Sequence, residues 1–164
     1  MDVKEGGYPS LLKMFLGTTT GTIGETSTAA LLLGAIYLLL RRVIDWKIPV
    51  IYIATFAVFD ILYMVIAGAA AYPLLYELCG GGLMLGAFFM ATDYVTSPIT
   101  PMGQIIFGIC CGIFTGLFRC FGANAEGVSF AIILSNILVP MIEKYTVPRA
   151  FGMVKEAKNQ EGVK

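Results

Sequence analysis

Charged positions divide the chain into long apolar runs joined by short polar segments. Uncharged intervals cover 26–40, 48–59, 61–76, 78–92, 94–118 and 127–142. A helix that crosses a bilayer needs about 20 mostly apolar residues, within a range of roughly 17–25. Spans are therefore expected at about 23–40, 48–71, 78–92, 103–121 and 127–143. The first requires Glu25 near an interface, and the second holds Asp60 inside the bilayer. The fourth ends beside Arg119, whose long stem reaches back to the interface. The pattern predicts an all-α polytopic membrane helix bundle of about five transmembrane helices. Residues 1–22 form an external N-terminal segment, 23–143 the bundle and 144–164 a solvated cytoplasmic tail.

The run Leu78–Thr92, LCGGGLMLGAFFMAT, departs from the others. It is short, opens on Gly80-Gly81-Gly82 and ends at Asp93 ahead of Pro98 and Pro101. Interrupted apolar segments of this kind form broken or re-entrant helices where protein encloses the freed backbone. A short, tilted ordinary span is the alternative.

Composition supports the membrane reading. Of the 164 residues, 57% are hydrophobic and 13% charged, against about 25% charged in a soluble domain; the mean hydropathy is +0.81. Disorder, a disulfide scaffold, a coiled coil and an ordinary soluble enzyme are excluded. Eleven basic residues balance eleven acidic ones without a basic block, so no nucleic-acid partner is expected. With five crossings, Arg41, Arg42, Lys47, Lys144, Arg149, Lys155, Lys158 and Lys164 share one side, leaving Lys4, Lys13 and Arg119 opposite. The positive-inside rule then puts the N-terminus outside and the C-terminus in the cytoplasm of a bacterial (inner) membrane. Residues Met1–Thr20 lack a signal-peptide pattern, as expected either of an N-terminus exported without one or of a chain that is the second half of something longer.

Ionisable groups inside spans are costly and mark function or pairing. Asp60 is the clearest: a cation or proton contact, a partner for a cofactor's polar edge, or a bundle hydrogen bond. Asp93, with Thr92 and Thr96, makes an oxygen-lined cation site or a turn cap before Ser97-Pro98. Asn136 lies mid-span, where interhelical hydrogen bonding is its commoner role. Asp60, Asp93, Thr92 and Asn136 are thus the candidate ion-path residues. Glu126 suits a helix start. Gly108, Gly112 and Gly116 give overlapping G-x-x-x-G steps and predict a face packed closely against another helix. Cys79, Cys110, Cys111 and Cys120 contain no C-x-x-C pair and the chain has no His. No metal site is expected, the cysteines suit apolar packing, and no residue stands out as catalytic. The Gly/Thr-rich run Gly17–Glu25 lacks the lysine and preceding strand of a phosphate-binding loop.

Three stretches carry a family resemblance: GTIGETSTAALLLGAIYLLLRRVIDWKIPV, LMLGAFFMATDYVTSPITPMGQIIFGI and CFGANAEGVSFAIILSNILVPMIEKYTVPRAFG. They resemble the C-terminal half of the Rnf complex D subunit, itself related to the B subunit of the sodium-pumping NADH:quinone reductase. The T-D-x-V-T, E-G-V-S-F-A and Y-T-x-P-R-x-F/Y-G signatures are specific in combination, and Tyr145–Gly152 favours the Rnf member. The resemblance implies a membrane subunit of an ion-translocating ferredoxin:NAD⁺ oxidoreductase that couples electron transfer to Na⁺ or H⁺ movement. It implies two inverted five-helix halves, of which this chain is the second, with other Rnf subunits, membrane lipid and the missing N-terminal half as partners. It also implies FMN for the full-length protein, held covalently on a Thr in a D-G-x-[ST]-x-A-T motif. That motif is not found in this sequence, so no flavin attachment is transferred to Thr18–Thr22. Half of a non-redox channel or transporter, and a structural anchor for redox partners, are the alternative functions.

Overall fold

A computed structural model describes residues 11–18, 26–67, 74–80, 82–121 and 127–147. Its elements are α1 (Leu11–Leu16), α2 (Thr28–Leu40), α3 (Lys47–Ala67), α4 (Leu74–Cys79), α5 (Leu83–Leu85, running into π-helical Gly86–Met90), α6 (Pro101–Phe121) and α7 (Gly127–Thr146). No strand occurs among the described residues. Among the described residues, three helices are long and apolar enough to cross a bilayer: Lys47–Ile66, Pro101–Phe121 and Gly127–Thr146. The shorter apolar helix α2 begins where Ser27 caps it, its Oγ accepting from the Ala30 N–H at 3.3 Å. Glu25, Gly122 and Glu126 lie outside the described residues.

The centre of the bundle is the α3–α6 pair. Gly108, Gly112 and Gly116 recur at one turn and form a groove on α6. The matching ridge of α3 lies in it, with Ile51 against Gly108, Thr55 against Gly112 and Phe59 against Gly116. A Cβ on Gly112 would stand 2.6 Å from that of Thr55, so only glycine permits this separation. All three pairs keep one register, which makes α3 and α6 parallel. Tyr52 and Thr115, both fully buried, join the two helices through a 2.5 Å hydroxyl–hydroxyl hydrogen bond.

Parallel neighbours require a return path, and α4–α5 provides it. Its start meets the end of α6, where Arg119 contacts Glu77; its finish, at Thr92, borders a cleft with Ile48 and Gln104, at the starts of α3 and α6. Helix α7 runs antiparallel to α6: Gly127 lies against Phe118, and Thr100 bonds Thr146 at 2.8 Å. Helix α2 follows the direction of α4–α5, with Thr28 bonded to the Cys79 carbonyl and Gly34 facing Phe89. Arg41, Arg42, Lys47 and Lys144 thus gather at one end, called here the basic end; α4 and Arg119 mark the distal end. Adjacent Cys110 and Cys111 diverge as 100° per residue demands: Cys111 is buried and Cys110 only half-buried.

Candidate functional site

The helix of the third expected span stops at Cys79 and restarts at Leu83, and its first fragment begins at Leu74, four residues ahead of the expected span. At the break Gly82 adopts φ 68°, ψ 9°. A side chain is disfavoured there by roughly 1–2 kcal/mol. A helix end leaves its last carbonyls without intrahelical partners. Here other helices supply them. The Arg119 guanidinium donates to the Glu77 carbonyl at 2.7 Å, to the Glu77 carboxylate at 2.8 Å and to the Gly80 carbonyl at 2.9 Å. The Thr28 hydroxyl donates to the Cys79 carbonyl at 3.2 Å, and the Gly80 N–H closes on Tyr76 at 2.9 Å. A cation at a helix C-terminus is also favoured by the aligned peptide dipoles. The guanidinium carbon stands 5.0 Å from the Phe56 ring centroid, within cation–π range.

Asp60 belongs to the same cluster. It follows Phe59, the residue seated on Gly116, which puts it about one turn from Arg119. It is 8% exposed, and its Oδ2 has no hydrogen-bond partner among the described residues. Both Glu77 and Arg119 act on its charge. Arg119 acts on the Asp60 charge from nearby but gives its identified hydrogen bonds to Glu77 and the break. The sequence singles out Asp60, whereas it suggests only an interfacial role for Arg119 and gives Glu77 none. The available signal is that Arg119 is the one basic residue between Lys47 and Lys144, and that Glu77 stands three residues before the glycines.

The other candidates are elsewhere. Asp93 is exposed at the basic end, ~20 Å from Asp60 along α6 at 1.5 Å per residue. It accepts from the Thr96 hydroxyl at 3.3 Å, and its carbonyl accepts from the Ser97 N–H at 3.0 Å. Thr92 is buried and donates to the Phe88 carbonyl at 2.7 Å, inside the π-helical turn. A π-turn displaces carbonyls from the α ladder and is frequent at functional positions. Asn136, on α7, has a buried Oδ1 without a partner among the described residues. Asp60 and Asp93 therefore belong to different ends of the bundle and do not form one site.

A cleft of about 250 Å³ opens at the basic end between the α2–α3 loop, the segment after Thr92 and the start of α6. Arg42, Asp45, Thr92, Tyr94, Ser97 and Gln104 line it. It is smaller than the roughly 300–1,000 Å³ of small-molecule sites, and its buried Gln104 Oε1 is an unpaired acceptor that would repel phosphate. This cleft does not fit a flavin mononucleotide.

The sequence profile of the NQR2, RnfD, RnfE family matches residues 2–152. The chain is 44% identical over 155 residues to the D subunit of the Na⁺-translocating ferredoxin:NAD⁺ oxidoreductase complex of Acetobacterium woodii, covering 93% of this chain and 46% of that protein. It is 45% identical over 148 residues to the D subunit of the proton-translocating ferredoxin:NAD⁺ oxidoreductase complex of Clostridium ljungdahlii, covering 90% and 45%. Against the D subunit of the ion-translocating oxidoreductase complex of Stutzerimonas stutzeri the identity is 43% over 146 residues, covering 89% and 41%. The chain spans about half the length, or less, of these curated relatives. On the match across nearly its whole length, the chain belongs to the NQR2, RnfD, RnfE family.

Proposed function

We propose that this chain is part of the membrane-embedded D subunit of an ion-translocating ferredoxin:NAD⁺ oxidoreductase complex in a bacterial cell membrane, and that it contributes a section of the ion path. The relatives' names support the complex. The observation that carries the ion path is Asp60: a buried carboxylate with an unpartnered oxygen, beside a broken helix, between elements that cross the bilayer. Such a group is stable only when a proton or a cation completes it. Arg119 and Glu77 hold the break in place, so exchange at Asp60 needs no rebuilding of the backbone. Na⁺ and H⁺ both suit this chemistry, and relatives carrying each name are about equally similar.

In this reading the chain crosses the membrane five times, the fragments α4 and α5 together making the third crossing, and the basic end faces the cytoplasm. The other half of the subunit packs beside it and carries the FMN; this chain's own part is ion conduction and support. Other subunits of the complex bring ferredoxin and NAD⁺ chemistry. Asp93, Thr92 and Asn136 lie along the same route at or toward the basic end.

The test uses the complete complex in inverted membrane vesicles, with the gene region for this chain present or deleted. Reduced ferredoxin and NAD⁺ are supplied, and ion uptake is followed together with NADH formation. The proposal expects loss of uptake on deletion and its return on complementation. Uptake that persists at full rate without this chain would overturn it.

A further inference from the structure

The ionisable groups around Asp60 come from three elements: Asp60 from α3, Glu77 from α4 and Arg119 from α6. Among the described residues, the charges that act on Asp60 are the Glu77 carboxylate and the Arg119 guanidinium, and the carboxylate acts the more strongly. Cys120, beside Arg119, feels both carboxylates, which gathers them around one point. Cys120 itself is neutral at ordinary pH, as is Tyr52, the other titratable group within reach of Arg119. Two carboxylates against one guanidinium leave the ionised cluster with one net negative charge.

Arg119 can neutralise only one of the two acids, and geometry decides which. One terminal nitrogen donates to the Glu77 carboxylate at 2.8 Å and to the Glu77 carbonyl at 2.7 Å, and the other donates to the Gly80 carbonyl at 2.9 Å. The guanidinium is thus tied to α4 through a side chain and two backbone groups. Asp60, 8% exposed and with Oδ2 unpartnered among the described residues, is the acid left over. A buried carboxylate of this kind is costly while ionised unless a positive charge joins it. We infer that Glu77 is a positioning residue for the ion step: by fixing the Arg119 guanidinium at the helix break, it keeps Asp60 in need of one exchangeable positive charge. This rests on the ion-path reading of Asp60, and names the residue that creates the demand for an ion. Without the Glu77 charge, Arg119 becomes the counter-ion of Asp60, and the same positions hold a resident ion pair in place of an exchange site.

The test uses the complete complex in inverted vesicles supplied with reduced ferredoxin and NAD⁺. The ion concentration giving half-maximal uptake is read from a ²²Na⁺ series at fixed pH and from a pH series of dye-reported H⁺ uptake. Glu77→Gln is expected to raise that concentration roughly tenfold or more for the ion that couples, which for H⁺ is about one pH unit to the acid side. Glu77→Asp keeps the charge and is expected to stay near the parent value. Equal shifts in the two variants would make packing the cause and overturn the inference. Cys120→Lys leaves the bonds of the break alone and supplies the missing charge; it is expected to shift uptake in the same direction, and it carries the test if Glu77→Gln fails to assemble. An unmoved half-maximal concentration in assembled Glu77→Gln, or in Cys120→Lys standing in for it, would overturn the inference. Asp60→Asn, run alongside, keeps the two readings apart. Uptake unaffected by Asp60→Asn refutes the ion path itself, whereas uptake lost in Asp60→Asn and unmoved in Glu77→Gln refutes only the role of Glu77.

Discussion

At the scale of single residues, the bundle is organised by one arginine. Arg119 reaches from the last turn of α6 to two carbonyls and a carboxylate of another element. With side-chain exposures of 12% for Arg119 and 27% for Glu77, the pair is sheltered enough for its loss to matter. Arg119→Met leaves the carboxylate and the carbonyls without a donor, and breaking a buried pair costs about 3–5 kcal/mol. Thermal unfolding of the detergent-solubilised complex should show this as a marked loss of stability. Glu77→Gln keeps a neutral acceptor and should cost only about 1 kcal/mol in the same assay. Equal losses in the two variants would contradict the role given to the break carbonyls. Asp60 was legible in the sequence because a lone acid amid apolar residues is conspicuous. The Arg119–Glu77 pair was not, because a contact spanning 42 positions leaves no trace in local periodicity. Asp93 shows the same limit: the sequence offers a cation ligand or a turn cap, and the fold adds a Thr96 hydrogen bond and exposure without choosing an ion.

At the scale of elements, small residues set the helix separations. Lipid offers apolar side chains no reason to leave it, so close backbone approach and interhelical hydrogen bonds hold the helices together. Gly112→Leu drives a side chain into Thr55 and should destabilise the α3–α6 pair by about 1–3 kcal/mol. Thr55→Ala in the same chain should recover part of that loss, since the two positions share one contact. A double variant as unstable as the single one would show that the groove does not accept the ridge as described. Tyr52→Phe removes the bond to Thr115 and should cost about 0.6 kcal/mol, rising to ~1.7 kcal/mol if the hydroxyl finds no other partner. The G-x-x-x-G spacing announced a packing face but not its partner; which helix occupies it depends on chain path. The break was legible as Gly80-Gly81-Gly82, whereas its flanking helix α4 was not separable from the preceding apolar run. Glu77 is the only charge in that stretch and sits in a pair, and the signal left unused is Pro73, directly before Leu74.

At the scale of the whole molecule, parallel α3 and α6 require the intervening segment to return along the bundle, which the proposed function reads as a crossing of the bilayer. That gives a checkable topology. In an otherwise cysteine-free version of the complex, a cysteine at Val95, 89% exposed at the basic end, should react with an impermeant thiol reagent from the cytoplasmic face. A cysteine at Ile66, 75% exposed at the distal end of α3, should react from the opposite face. Labelling of both from one face would remove the return crossing and with it the five-span reading. The number of apolar runs and the basic-residue asymmetry led to the five-span expectation; among the described residues three helices are long and apolar enough to cross. The sequence could not reveal that the ion-path candidates divide between two ends, because charge spacing ranks residues along the chain and not across the bundle.

The most direct test of the account is the ratio of ions moved to NADH formed by vesicles carrying Asp60→Asn in the complete complex. The amide fills nearly the same volume and can hydrogen-bond, but it cannot exchange a proton or hold a cation with a full charge. Normal assembly with ion uptake reduced at least tenfold per NADH is the predicted result. An unchanged ratio in a fully assembled complex would contradict the account and return Asp60 to a packing role.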